Sequence, residues 1–211
     1  MNDPLSLIYE ACVIKKQDPL QAIYDRIKII NGQKIIEGDA NLSNLQLTKL
    51  PDLHDVHITG SFYCDHNKLV NLEGAPVSVG GAFFCFYNQL TSLKGAPAYV
   101  ERKFSCDDNR LTSLEGAPGS VGRDFDCMNN QLTSLKGAPK SVGWSFYCIN
   151  NRLTSLEDGP ESIGERFYCE NNPLPEGTPE VMNAQQYQEY RKKFNLQKEF
   201  GNDIGQTIYD L

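Results

Sequence analysis

The sequence is poor in the features that most directly announce a function. It has no run of about 18 apolar residues, the minimum for a helix that crosses a membrane. Its 20 lysines and arginines are outnumbered by 27 acids, giving a net charge of −7 and a pI near 5.0. Nucleic acid is therefore not expected as a partner, because phosphate binding needs grouped cations. No glycine-rich phosphate loop, Ser-His-Asp set or paired-carboxylate motif is present. Histidine occurs only three times and tryptophan once. The first residues lack a positive start and a small-residue cleavage site, so a secretory signal is not expected. Without one, the 7 cysteines are expected to be reduced thiols rather than a disulfide scaffold. What is present is enough apolar residue, 40 % of 211, for one packed domain or two small ones.

Six of the cysteines are Cys64, Cys85, Cys106, Cys127, Cys148 and Cys169, spaced 21 residues apart. The surroundings recur as F-x-C-x-x-N-x-L-T-S-L-x-G-A-P-x-S-V-G. A fixed period of this size is the signature of a solenoid. Phe and Cys two apart point to the same side of a strand, which predicts that both face the interior. Asn67, Asn88, Asn109, Asn130, Asn151 and Asn172 follow the cysteines by three residues, and their side chains can satisfy backbone groups where the chain leaves the strand. Val79, Val100, Val121, Val142 and Ile163 close the turns. Gly-Ala-Pro on the return path disfavours a helix, so an extended or polyproline-like convex side is predicted. A degenerate first coil runs through Ala40, Leu42, Leu45, Leu47, Leu50 and Leu53, with Leu45 in the Asn position. Terminal coils of a stack are expected to be irregular.

The repeat resembles the leucine-rich repeats of secreted bacterial effectors of the YopM and IpaH kind. With its strand cysteine and L-T-S-L-x-G-A-P-x-S-V-G tail, it is more similar to leucine-rich-repeat proteins encoded by large tailed bacteriophages. The resemblance covers about residues 38–176. It implies a leucine-rich-repeat solenoid of about seven coils with parallel strands. It also implies a phage protein that meets a host protein in the bacterial cytoplasm. The IpaH relatives carry a separate ligase domain with a catalytic cysteine. Only about 35 residues follow the repeats here and none is Cys, so that activity does not carry over.

Three segments are expected: an N-terminal cap over 1–36, the repeat array over 37–176, and a helix and tail over 177–211. Residues 3–16 place Leu5, Ile8, Tyr9, Cys12 and Val13 at helical spacing. Asp18-Pro19 reads as the cap and first position of a second helix. Asn31-Gly32 between β-branched runs predicts a hairpin, with Gly32 as a helix C-cap the alternative. Thr178-Pro179 predicts the start of a helix over about 179–193, or on to 199, whose Val181, Tyr187, Tyr190 and Phe194 seal the last coil. Gly201–Leu211 is expected to be either loose or a docking peptide. Helical caps are thus expected at both ends.

The cysteine row forms a line rather than a point, so it is expected to be a core ladder and not a metal or redox site. Glu73, Lys94, Glu115, Lys136 and Glu157 alternate in sign on neighbouring coils and are expected to set the register. His54, His57 and His66, with Cys64 and Asp65, are the one catalytic alternative, disfavoured because Cys64 points inward while its neighbour points out. No cofactor or metal is expected.

The residues alternating with Phe and Cys should line the concave surface, and scaffold needs do not set them. Tyr63, Phe84, Phe86, Met128, Tyr147, Ile149 and Tyr168 are large and apolar or aromatic there, flanked by Tyr87 and Trp144. Asp107, Asp108, Asp124 and Asp126 add an acidic centre. An exposed aromatic row is a protein-interaction candidate, the bland alternative being strand propensity. The expected function is non-enzymatic protein binding through Tyr63, Phe84, Phe86, Tyr87, Asp107, Asp124, Asp126, Met128, Tyr147, Ile149 and Tyr168. The competing class is a virion component or a self-assembling protein using the same face.

Overall fold

The computed structural model describes residues 18–200. The helix expected over 3–16, Cys12 and the tail from 201 lie outside the described residues. The chain winds into a parallel β-solenoid of about six turns, each regular turn 21 residues long, with two sheets. The Phe sheet holds β3 (Ala40–Asn41), β5 (Phe62–Tyr63), β7 (Phe83–Phe84), β9 (Phe104–Ser105), β11 (Phe125–Asp126), β13 (Phe146–Tyr147), β15 (Arg166–Tyr168) and β16 (Val181–Asn183). The Val sheet holds β1 (Lys28–Ile30), β2 (Gln33–Ile36), β4 (Val56–Ile58), β6 (Ser78–Val79), β8 (Tyr99–Val100), β10 (Ser120–Val121), β12 (Ser141–Val142) and β14 (Ser162–Ile163). The return path is extended, but it is not an unpaired polyproline-like strip. Its Ser-Val dipeptides pair in register with the turns on either side. Val or Ile from each turn lies buried there, and this second apolar column is what makes pairing worthwhile.

The interior is built from columns of one residue type. Phe62, Phe83, Phe104, Phe125, Phe146 and Phe167 are fully buried, and their ring centroids stack 5.1–5.4 Å apart. From Phe104 onward the rings are within 10° of parallel. Each Asn amide answers for several buried backbone groups at once. Asn109 Nδ2 donates to Cys85 O and Cys106 O, both at 3.1 Å, and its Oδ1 accepts from Leu90 N at 2.9 Å. The same bonds recur at Asn88, Asn130, Asn151 and Asn172. Two of these partners, Cys85 and Leu90 for Asn109, belong to the preceding turn. The first coil has no preceding turn to serve, so Leu45 can stand where Asn would. The exposed charge ladder forms ion pairs Lys94–Glu73 at 2.6 Å and Lys136–Glu115 at 2.8 Å, each worth about 0–1 kcal/mol.

At the N-terminal end Asp18 Oδ1 caps the six-residue α1 (Pro19–Tyr24), which buries Ile23. Asn31 (φ 52°) and Gly32 (φ 78°) both take the left-handed region, forming the hairpin turn that joins β1 and β2. β2 then pairs parallel with β4, so the hairpin continues the Val sheet. The C-terminal end differs from expectation. The helix does not start at Pro179. Val181–Asn183 instead forms β16, antiparallel to β15, and Met182 pairs with Phe167 and is fully buried. The last turn otherwise exposes a strand edge and a Phe ring, and β16 covers both. The helix α2 (Ala184–Phe200) starts one residue later. Asn183 and Gln186 cap it reciprocally, each side chain accepting from the other's N–H at 2.9 Å.

Tyr187 of α2 is the seventh ring of the ladder, 4.4 Å from Phe167 and fully buried. Its hydroxyl donates to Pro160 O at 2.9 Å. This explains a break in the repeat. Where earlier turns read Gly-Ala-Pro, the last reads Asp158-Gly159-Pro160. A Cβ on Gly159 would lie 2.6 Å from the Tyr187 hydroxyl. Asp158 consequently takes the left-handed position (φ 62°) that Gly137 fills one turn earlier.

Candidate functional site

The outer face of the Phe sheet carries the residues singled out from the sequence. Along its middle column the register aligns Tyr63, Phe84, Ser105, Asp126, Tyr147 and Tyr168. Tyr63 and Phe84 stack at 5.1 Å, and Tyr147 and Tyr168 at 4.7 Å with planes 4° apart. Two stacked pairs therefore flank a two-turn gap floored by Ser105 and Asp126, which are 3 % and 5 % exposed.

Phe86 packs edge-on to Phe84 at 6.1 Å, and His66 lies between Phe86 and Tyr87 at 5.4 and 4.8 Å. Tyr87 is 53 % exposed and adopts φ 48°. Its turn position is left-handed in every coil. Asn129, Asn150 and Asn171 suit that conformation, whereas an aromatic residue is strained there. The other candidates are less open. Tyr63, Phe84, Phe86, Asp107, Asp124, Met128, Tyr147, Ile149 and Tyr168 are half-buried, and Asp126 is buried. Met128 and Ile149 are neighbours by register but lie apart from the Phe86 group. Trp144 is engaged by Arg123, whose guanidinium sits 4.6 Å over the indole.

Between the aromatic pairs is a polar centre that sequence reading caught only in part. Lys103 Nζ pairs with Asp126 Oδ2 at 2.9 Å. Ser105 Oγ donates to Asp107 Oδ1, and Asp124 Oδ1 accepts from Ser145 N at 3.2 Å. Burial pushes the Asp107 carboxyl above its ordinary value, against the Ser105 hydrogen bond, and the Asp126 charge adds to the rise. For Lys103 burial acts downward, but Asp126, Asp107 and Asp124 outweigh it and hold the ammonium more firmly protonated. Lys103 and Ser105 were legible as face positions. Their pairing was not, because Lys103 and Asp126 are 23 residues apart. At the C-terminal end of the face, Glu170 Oε2 is buried without a hydrogen-bond partner.

The thiols are buried in the core. Burial raises Cys64, Cys85, Cys106, Cys127 and Cys148 well above the ordinary thiol value, and pushes Cys169 up to about 12. From Cys85 to Cys148 each Sγ–H donates to a carbonyl of the next coil, such as Cys106 to Asp126 O at 3.3 Å, and Cys169 donates to Pro179 O and Glu180 O beyond the last coil. The histidines bond to three different partners: His54 to Asp52, His57 to Ser78 and His66 to Asp65. Among the described residues no group of three His, Cys, Asp or Glu side chains is placed to hold a metal ion, and no helix is long and apolar enough to cross a membrane. A cavity of about 510 Å³ lies away from the face, where Tyr190 and Phe194 of α2 meet Pro175 and Pro179. Compared with known proteins, the chain matches no family model and no curated protein.

Proposed function

We propose that the chain is a non-enzymatic protein-binding scaffold of the leucine-rich-repeat type that engages its partner through the outer face of the Phe sheet. One observation carries this reading. In a solenoid whose inner columns repeat one residue type, the outer column holds two stacked aromatic pairs around a charged centre, with Tyr87 strained and exposed beside them. Rigid aromatic side chains beside polar groups are the usual anchors of protein interfaces, and strained residues gather at functional sites. The repeat's resemblance to phage-encoded leucine-rich repeats supports a bacterial host protein as the partner, a defence or regulatory factor met in the host cytoplasm.

The test is capture from host lysate by the intact protein and by a Phe84→Ala/Phe86→Ala/Tyr147→Ala variant. Loss of a specific partner in the variant, with an unchanged far-UV spectrum, is expected. Equal capture by both would show the face is wrongly assigned. Stoichiometric copies in purified virions would replace the host-binding role with a structural one.

A further inference from the structure

The spacing and charge of the face point to the kind of segment it takes. We infer that the partner presents an extended stretch of chain with an arginine or lysine midway between two apolar side chains four residues apart. This rests on the proposed binding role of the Phe sheet and goes beyond it by naming the ligand's chemistry.

Neighbouring strands of a sheet lie about 4.8 Å apart, so Phe84 and Tyr147, three strands apart in the register, are separated by ~14 Å. An extended chain rises about 3.3 Å per residue and shows alternate side chains to one side, so residues i and i+4 lie ~13 Å apart with i+2 between them. A chain laid across the strands thus sets two apolar side chains on the two stacked pairs and brings the intervening one over the Ser105–Asp126 gap.

The charge of the gap selects that middle side chain. Asp107, Asp124 and Asp126 against Lys103 leave two net negative charges, three minus one. Lys103 is committed to Asp126. Among the described residues neither Asp107 nor Asp124 has an ion-pair partner within 4.0 Å. An incoming guanidinium or ammonium supplies the missing cation, and half-burial strengthens its hydrogen bonds. An acidic side chain there would meet like charge.

The test uses the full chain and three capped peptides, titrated calorimetrically at low and physiological salt. The first is Gly-Ser-Phe-Ser-Arg-Ser-Phe-Ser-Gly. The second replaces Arg with Glu. The third keeps Arg but places the two Phe two residues apart. The first peptide is expected to bind tenfold or more tighter than either control, with the advantage over Glu shrinking as salt rises. An Asp107→Asn/Asp124→Asn variant should lose the preference for Arg over Glu, and Phe84→Ala/Tyr147→Ala should weaken the first peptide against wild type. Equal affinities for the first two peptides, retention of the Arg preference in the Asn variant, or no binding of any peptide at millimolar concentration overturns the inference. Any of these combined with aromatic-dependent capture of a partner would remove only the ligand assignment. Loss of both would remove the binding role as well.

Discussion

Phe125 and Asp126 are chain neighbours in one strand, yet they answer to different constraints. Phe125 belongs to an inner column in which each of the six regular turns carries the same ring, stacked at nearly the same distance. Asp126 belongs to an outer column that runs Tyr, Phe, Ser, Asp, Tyr, Tyr. Inside, each side chain between the ends of the array has identical neighbours above and below, so one shape satisfies the regular turns and any other leaves a void. Outside, stacking constrains little, and the residue type varies from turn to turn. The contrast separates what holds the solenoid together from what it displays.

The largest expected effect tests the inner columns collectively. In the six buried thiols the folded state holds the proton more tightly than the unfolded state, whose thiols titrate near 9.0. Above about pH 9 the unfolded chain releases protons that the folded chain keeps. Stability is therefore full below that pH and falls as pH rises toward the folded values, approaching about 1.4 kcal/mol per thiol for each pH unit. Urea titrations at pH 7, 9 and 10 check this, and a flat profile would mean the thiols are not sealed. Next, Phe125→Ala should cost about 3–5 kcal/mol, and Tyr147→Ala about 1–2, mostly its stack with Tyr168. Equal losses in chemical denaturation would erase the distinction between the two columns.

A third, smaller effect sharpens the comparison at the C-terminal end. Gly159→Ala is expected to cost about 1–3 kcal/mol by overpacking. Tyr187→Phe should restore most of it, since Arg191 still donates to Pro160 O. A thermal-melt double-mutant cycle reports the coupling, and additive losses would show that the Tyr187 hydroxyl is not the obstacle. The smallest effect belongs to Tyr87. Tyr87→Asn should shift stability by less than about 0.5 kcal/mol, because relief of backbone strain offsets the lost ring contacts. Partner capture should nevertheless fall. A large change in melting temperature would make Tyr87 structural instead.

Features set by local chemistry or by the period were readable from residues alone. Phe and Cys two apart, Asn three beyond, and the Asn31-Gly32 turn all behave as their spacing implies. Contacts between turns were readable only where they repeat. The second sheet is not legible in the sequence because two-residue strands are too short to show alternation. At the end of the array Val181 and Tyr187 also fit helical spacing, so spacing alone does not separate the strand Val181–Asn183 from the helix that follows. The Asn183–Gln186 capping pair was present in the sequence, but Thr178-Pro179 offered an earlier start. The candidate face was legible as a set of positions, while its division into two aromatic pairs around Lys103 and Asp126 depends on which turns stack together.

By itself, the sequence determined the solenoid, its 21-residue turn and which residues face inward. A repeated motif meets copies of itself, so one motif's preferences decide every coil. Only the tertiary structure decided how the stack stops and how the face is partitioned. Met182 and Tyr187 reach the last Phe ring, Gly159 gives up its Cβ to Tyr187, and Lys103 finds Asp126 across a turn. Each of these joins residues between which the repeat imposes no relation, so only the assembled coils bring them together.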